Sequence, residues 1–190
     1  MNSRIRCLSR TMRWSFCLLL LGLTAATAAA PALQVCVTVP ELSSLAKEVG
    51  GNYVQLSTFA KATEDPHFVE AKPSFIKTLS ECDLYVQVGL ELEIGWAPVL
   101  LQNARNAKIL SGALGYVDVS SVITPIEVPT TPVDRSMGDV HPLGNPHYLS
   151  DPLNGLKVAA LLRDKFSELQ PENAQYFATR YISFRQRVGT

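Results

Sequence analysis

The sequence contains no HExxH, no GxSxG and no glycine-rich phosphate loop, so the usual signatures of zinc peptidases, serine hydrolases and nucleotide-binding enzymes are missing. It has no internal repeat, and its only low-complexity segment is an alanine-rich leader. Long apolar runs are absent too. WSFCLLLLGL (14–23) is ten residues long, well short of the ~20 needed to cross a bilayer as a helix. Charge of one sign is lacking overall, with seventeen basic and seventeen acidic side chains in 190 residues. There are only three histidines and four cysteines. A chain of this length makes one domain, or a domain with an appendage, and is long enough for a real core.

The charge balance hides two unlike parts. Arg4, Arg6, Arg10 and Arg13 precede the apolar run with no acid among them, and small residues ending in Ala-x-Ala follow it. A basic head, a short apolar middle and a small-residue end predict a cleaved secretory leader over residues 1–30. Cys17 lies inside the apolar run and Cys36 beyond the cleavage site, so neither sits where a lipid-modified cysteine would follow. A soluble exported protein that is not a lipoprotein is expected. Removing the four leader arginines leaves thirteen basic side chains against seventeen acids, a balance of −4. That sign argues against a nucleic-acid partner, which would call for a basic stripe. It suits a protein that handles cations.

Strand-like and helix-like segments alternate in the remaining chain. LQVCVTV (33–39) is a β-branched apolar run. Leu42, Leu45, Ala46 and Val49 then recur at helical spacing until Gly50-Gly51 stops them. YVQLSTF (53–59), a helix near 72–81, DLYVQVGL (83–90), a helix over 96–106 and a fourth short strand within 108–118 continue the pattern. Strands separated by helices of about ten residues imply βαβ units and a parallel sheet. Ligands of such sheets bind beyond the carboxyl ends of the strands. Residues 119–137, with three prolines and Ser and Thr clusters, predict a long functional connection. Asp151-Pro152 predicts an N-cap with proline at the first helical position. A further helix begins at Pro171-Glu172. The earlier helices already serve the sheet, so the last two are expected to keep an apolar side for a missing partner. Cys36 and Cys82 each lie beside a strand-like run. An exporting compartment permits a disulfide, but burial as free thiols is the simpler expectation.

The histidines carry the chemistry. His67 follows the second strand in EDPHFVEAKPS (64–74), and His141 and His147 lie six positions apart in GDVHPLGNPHYLSDP (138–152). Asp65-Pro66-His67 returns in outline as Asn145-Pro146-His147, and in each an Asx-Pro pair stiffens the backbone that carries the imidazole. Imidazole is the commonest ligand for zinc and suits manganese or iron when carboxylates join it. The plain alternative is a set of loop histidines bonded to backbone, and for His141 that reading is the more economical. Glu64 and Glu70 flank His67. Either could act as a general base in a secreted metallohydrolase, although solvated loop acids are the expectation. Asp151 could hold the second nitrogen of His147, but helix capping explains it more simply.

PELSSLAKEVGGNYVQ, EDPHFVEAKPS, ECDLYVQVGLELE and GNPHYLSDP, in this order, resemble the cluster A-I metal-binding proteins of ABC importers, the ZnuA/TroA-like periplasmic zinc and manganese binders. The resemblance runs from about residue 33 to about 185. It implies two βα lobes joined by a long helix, with the metal in the cleft between them, and it places metal ligands on His67 and His147. It implies an α/β fold here: an N-terminal βα lobe (31–150) with a short parallel sheet flanked by helices, then a helical segment (151–190) that starts the connecting helix, the second lobe being absent. The function implied is capture of a divalent cation, zinc first and manganese as the alternative, for delivery to an ABC permease in the inner membrane. No covalent chemistry is expected. The histidine-rich tract of many zinc-specific relatives is missing from 119–140, and His141 is an auxiliary ligand candidate. Phe68 and Tyr148 are expected to shield the site in part. A truncated, inactive gene product is the competing account.

Overall fold

A computed structural model describes residues 31–134, 137–138 and 140–189, so the leader expected over 1–30 lies outside the described residues. Four strands form one parallel sheet: β1 (Leu33–Val37), β2 (Val54–Thr58), β3 (Leu84–Gln87) and β4 (Tyr116–Asp118), in the order β2-β1-β3-β4. The helices are α1 (Pro40–Gly50), α2 (Pro73–Ser80), α3 (Ala97–Ala104), α4 (Pro152–Leu169) and α5 (Ala174–Val188). Among the described residues no helix is long and apolar enough to cross a membrane.

The strand order explains the layers. The step from β1 to β2 runs one way along the sheet, and those from β2 to β3 and from β3 to β4 run the other. Right-handed crossovers then put α1 on one face and α2 with α3 on the opposite face. Accordingly α2 packs on α3, whereas α1 packs on α4 and α5. One helix cannot cover a four-stranded face, and this corrects the expectation that the last two helices lack a partner. Val158, Ala159, Leu162 and Phe166 of α4 and Phe177 of α5 are fully buried in the same core as Val37, Leu42 and Val86. Arg180 of α5 reaches back to donate from Nε to the Glu48 carbonyl, 2.7 Å away.

The fourth short strand expected within 108–118 is present as Tyr116–Asp118, preceded by a 3-10 turn at Ala107–Ile109 and further turns. Gly115 is required there, since a Cβ would come within 2.3 Å of the Asp83 carbonyl oxygen. Cys36 and Cys82 are not free thiols but form a disulfide. Cys82 lies two residues before β3, which pairs with β1, and this brings its Cα to 6.3 Å from that of Cys36, within bridging range.

Candidate metal centre

Strand connections diverge between β1 and β3, and the crevice beyond the carboxyl ends of those strands is where a sheet of this kind takes its ligand. Just past the ends of β1 and β3 lies Glu93, which is only 2 % exposed. The carboxylate accepts hydrogen bonds from Thr38 Oγ1 (2.7 Å) at the end of β1 and from the Val88 (2.8 Å) and Gly89 (3.1 Å) backbone N–H groups just past β3. Burial raises the Glu93 pKa above the ordinary carboxylate value, against the lowering effect of these donors, and the nearby Asp118 charge adds to the rise. Gly89, Leu90 and Glu91 all have positive φ (84°, 51° and 67°). For the two residues that carry side chains this conformation costs roughly 1–2 kcal/mol each. Gly89 admits no side chain, because a Cβ would sit 2.0 Å from Asp118 Oδ1.

His67 rises from a single 3-10 turn, Pro66–Phe68. Asp65 Oδ1 accepts both from the His67 backbone N–H (2.9 Å) and from ring Nδ1 (2.7 Å). The His67 backbone bond, then the ring bond, hold the Asp65 pKa below its usual value. With Nδ1–H given to the carboxylate, a neutral ring keeps its lone pair on Nε2, the arrangement that fixes the tautomer and ring orientation of a metal-binding histidine. Trp96 fastens the loop from beneath, its indole N–H donating to the Pro66 carbonyl at 2.9 Å.

His147 is prepared by a parallel device. Asn145 Oδ1 accepts from the His147 N–H at 2.8 Å, and Asn145 Nδ2 donates to Glu127 Oε2, also at 2.8 Å. The Asn145 N–H bonds to the Ile126 carbonyl, so the long connection doubles back to support the second motif. Tyr148 is buried. Its buried hydroxyl donates to the Val88 carbonyl, so this ring anchors the loop rather than shielding the site as expected. Phe68 is 72 % exposed at the rim and shields little. Asp151 caps α4 through the Leu153 N–H.

The fold brings all three histidines together. The His67 ring lies 5.1 Å from His141, nearly stacked at 28°, and 5.4 Å from His147 at 60° (centroid distances). His67 Nε2 and His141 Nε2 are 3.0 Å apart. Two nitrogens on one tetrahedral zinc at 2.0–2.1 Å would be about 3.3 Å apart, so this pair needs only a small movement to share a cation. Among the described residues no group of three or more His, Cys, Asp or Glu side chains is placed to hold a metal ion as it stands. His141, for which a bland loop role is the more economical reading of the sequence, therefore lies directly against His67. Glu64 accepts from the Lys61 N–H, and the exposed Glu70 pairs with Lys72, as solvated loop acids. The sequence singles out Asp65 and Asn145 as stiffening the two loops but not their hydrogen bonds to the histidines, and it does not single out Glu93. The available signals were an acid between leucine and isoleucine in GLELEIGW and an Asx residue two positions before each histidine.

The profile of the family described as zinc-uptake complex component A periplasmic (ZnuA) matches residues 35–190. The chain belongs to that family. It is 28 % identical over 178 residues to the metal ABC transporter substrate-binding lipoprotein SloC of Streptococcus mutans, covering 90 % of this chain and 55 % of that protein. It is 29 % identical over 169 residues to a manganese ABC transporter substrate-binding lipoprotein, PsaA, of Streptococcus pneumoniae, covering 87 % and 51 %. Among solved structures, a zinc-bound ZnuA deletion mutant matches with TM-score 0.69 at 25 % identity, covering 83 % of this chain and 55 % of that one. A manganese-bound periplasmic metal-binding protein from Candidatus Liberibacter asiaticus shares the fold with TM-score 0.64 at 19 % identity, covering 80 % and 52 %. The chain spans about half the length of the curated relatives it matches.

Proposed function

We propose that this chain is the metal-capturing component of an ABC importer, that it takes up a divalent transition cation outside the inner membrane, and that it presents the cation to a membrane permease. His67 and His147 are the ligands in this reading, and His141 completes the imidazole set. The observation that carries it is the gathering of the His141 and His147 rings about His67, whose Nδ1 is held by the Asp65 carboxylate so that Nε2 is left to bind. Zinc is the proposed cargo and manganese the alternative. Imidazole nitrogens suit zinc, whereas manganese prefers oxygen donors. The relatives divide on this point, some being named for manganese and others for zinc.

An exported location fits the reading of residues 1–30. SloC and PsaA are named as lipoproteins, so the expected absence of a lipid anchor finds no support in those two relatives.

Calorimetric titration of the purified chain with zinc, beside a His67→Ala/His147→Ala double variant, tests the proposal. Stoichiometric binding that falls at least about 100-fold in the variant is expected, since ligand loss should exceed the 10–100-fold typical of outer-shell changes. Weak binding that the substitutions leave unchanged would contradict it.

A further inference from the structure

Glu93 is a buried acid, and both histidine loops hang on the segment it organises. Its carboxylate receives the Val88 and Gly89 N–H groups and the Thr38 hydroxyl. Its backbone carbonyl receives the Trp96 (3.1 Å) and Ala97 (3.0 Å) N–H groups. The Val88 carbonyl takes the hydroxyl of Tyr148, the residue after His147. The Trp96 indole holds the Pro66 carbonyl, one residue before His67. Each histidine loop is therefore tied to a peptide that Glu93 fixes directly, one through its side chain and the other through its main chain.

We infer that Glu93 is a positioning residue for the metal centre: through Val88 and Trp96 it sets the separation of the His67 and His147 loops. This rests on the metal-binding reading above. The chemistry calls for a carboxylate, because three donors converge on it and an ionised acid is a pure acceptor that can satisfy all of them. A glutamine would turn its NH2 group toward one of those donors. An aspartate would fall one methylene short. Either change frees the left-handed turn at Gly89, Leu90 and Glu91 and detaches residue 93 from Thr38, so the main chain that carries Trp96 loses its anchor along with the Val88 peptide.

The test compares the unaltered chain with Glu93→Gln, Glu93→Asp and Tyr148→Phe, the last cutting only the tie from Val88 to the second loop. Long-range proton–nitrogen spectra of the imidazoles, recorded without metal, should show His67 and His147 shifting together in both Glu93 variants and His147 alone in Tyr148→Phe. Zinc affinity should fall about 10–100-fold in Glu93→Gln, the range typical of outer-shell partners, and the visible bands of bound cobalt(II), used as a geometric probe, should move. In a His147→Ala background Glu93→Gln should change affinity less than about threefold, well below that range, because no separation remains to be set. Lower thermal stability with unmoved imidazole spectra and cobalt bands would reduce Glu93 to a structural role and overturn the inference. If the unaltered chain binds no zinc, the functional reading fails, and the metal-free spectra still decide the placement of the loops.

Discussion

The loops at 65–67 and 145–147 share an Asx-Pro-His pattern but not a turn, since His67 lies within the 3-10 turn Pro66–Phe68 and His147 stands just before the turn Tyr148–Ser150. Each has an Asx side chain accepting from the N–H of the histidine two residues on, and each has proline between. In the first loop the Asx residue is an acid that also grips the imidazole through Nδ1. In the second it is an amide, and its spare donor goes to Glu127 instead of the ring. The His67 side chain is accordingly 13 % exposed and held on two sides, whereas His147 is exposed. In the proposed site one motif would supply a pre-oriented ligand and the other a ligand still to be ordered when a cation arrives, a cost in side-chain entropy that would fall mainly on the second.

The largest expected effect tests whether that difference is local. Replacing Cys36 and Cys82 by serine opens a loop closed across a separation of 46 residues, and the chain-entropy account puts the loss near 4 kcal/mol. Denaturant unfolding of oxidised and substituted chains measures it. The contrast between the two histidine loops should survive, since neither contains a cysteine.

Next in size is Asp65→Asn, which makes the first loop chemically like the second. Zinc affinity should drop about 10–100-fold, as for other partners of metal-bound histidines, and isothermal titration reads it. Asn145→Ala removes the turn bond and the tie to Glu127. It should lower the stability of the metal-free chain by about 1 kcal/mol, the net worth of a typical hydrogen bond, as read by thermal unfolding.

The smallest effect is in pH. Asp65 has a folded pKa below its ordinary value of 3.8, so its contribution is fully present above pH 3.8 and is lost as pH falls through the folded value. The stability gap between the unaltered chain and Asp65→Asn should close as pH drops below about 4. Glu93 has the opposite sign. Its folded pKa lies above 4.5, so the folded state keeps this proton longer and the contribution of Glu93 declines as pH rises from 4.5 through the folded value. Denaturant midpoints across pH 3 to 7 for Asp65→Asn and Glu93→Gln check both signs.

Much of the lobe could be read from the chain because its elements are locally consistent. β1, β2 and β3 are apolar runs bounded by helix and turn signals, and α1 and α4 carry helical spacing with stops or caps in the expected places. Both Asx-Pro-His motifs were visible for the same reason, since proline and Asx side chains act within three residues. What could not be read depends on contacts distant in sequence. Glu93 meets Thr38 across 55 residues and His141 meets His67 across 74. The Cys36–Cys82 bridge depends on β3 lying beside β1, a topological fact that no local pattern encodes. The role of α4 followed from the direction in which the crossovers run, so only the strand order could show that one face needed a second helix.

The central claim is that His67, His147 and His141 together hold the cargo. X-ray absorption at the zinc edge of the loaded chain, compared with His141→Ala, tests it most directly. The account predicts imidazole scattering from three rings with Zn–N distances of about 2.0–2.1 Å, reduced to two rings in the variant. A shell of oxygen alone, or a spectrum that His141→Ala leaves unchanged, would contradict it.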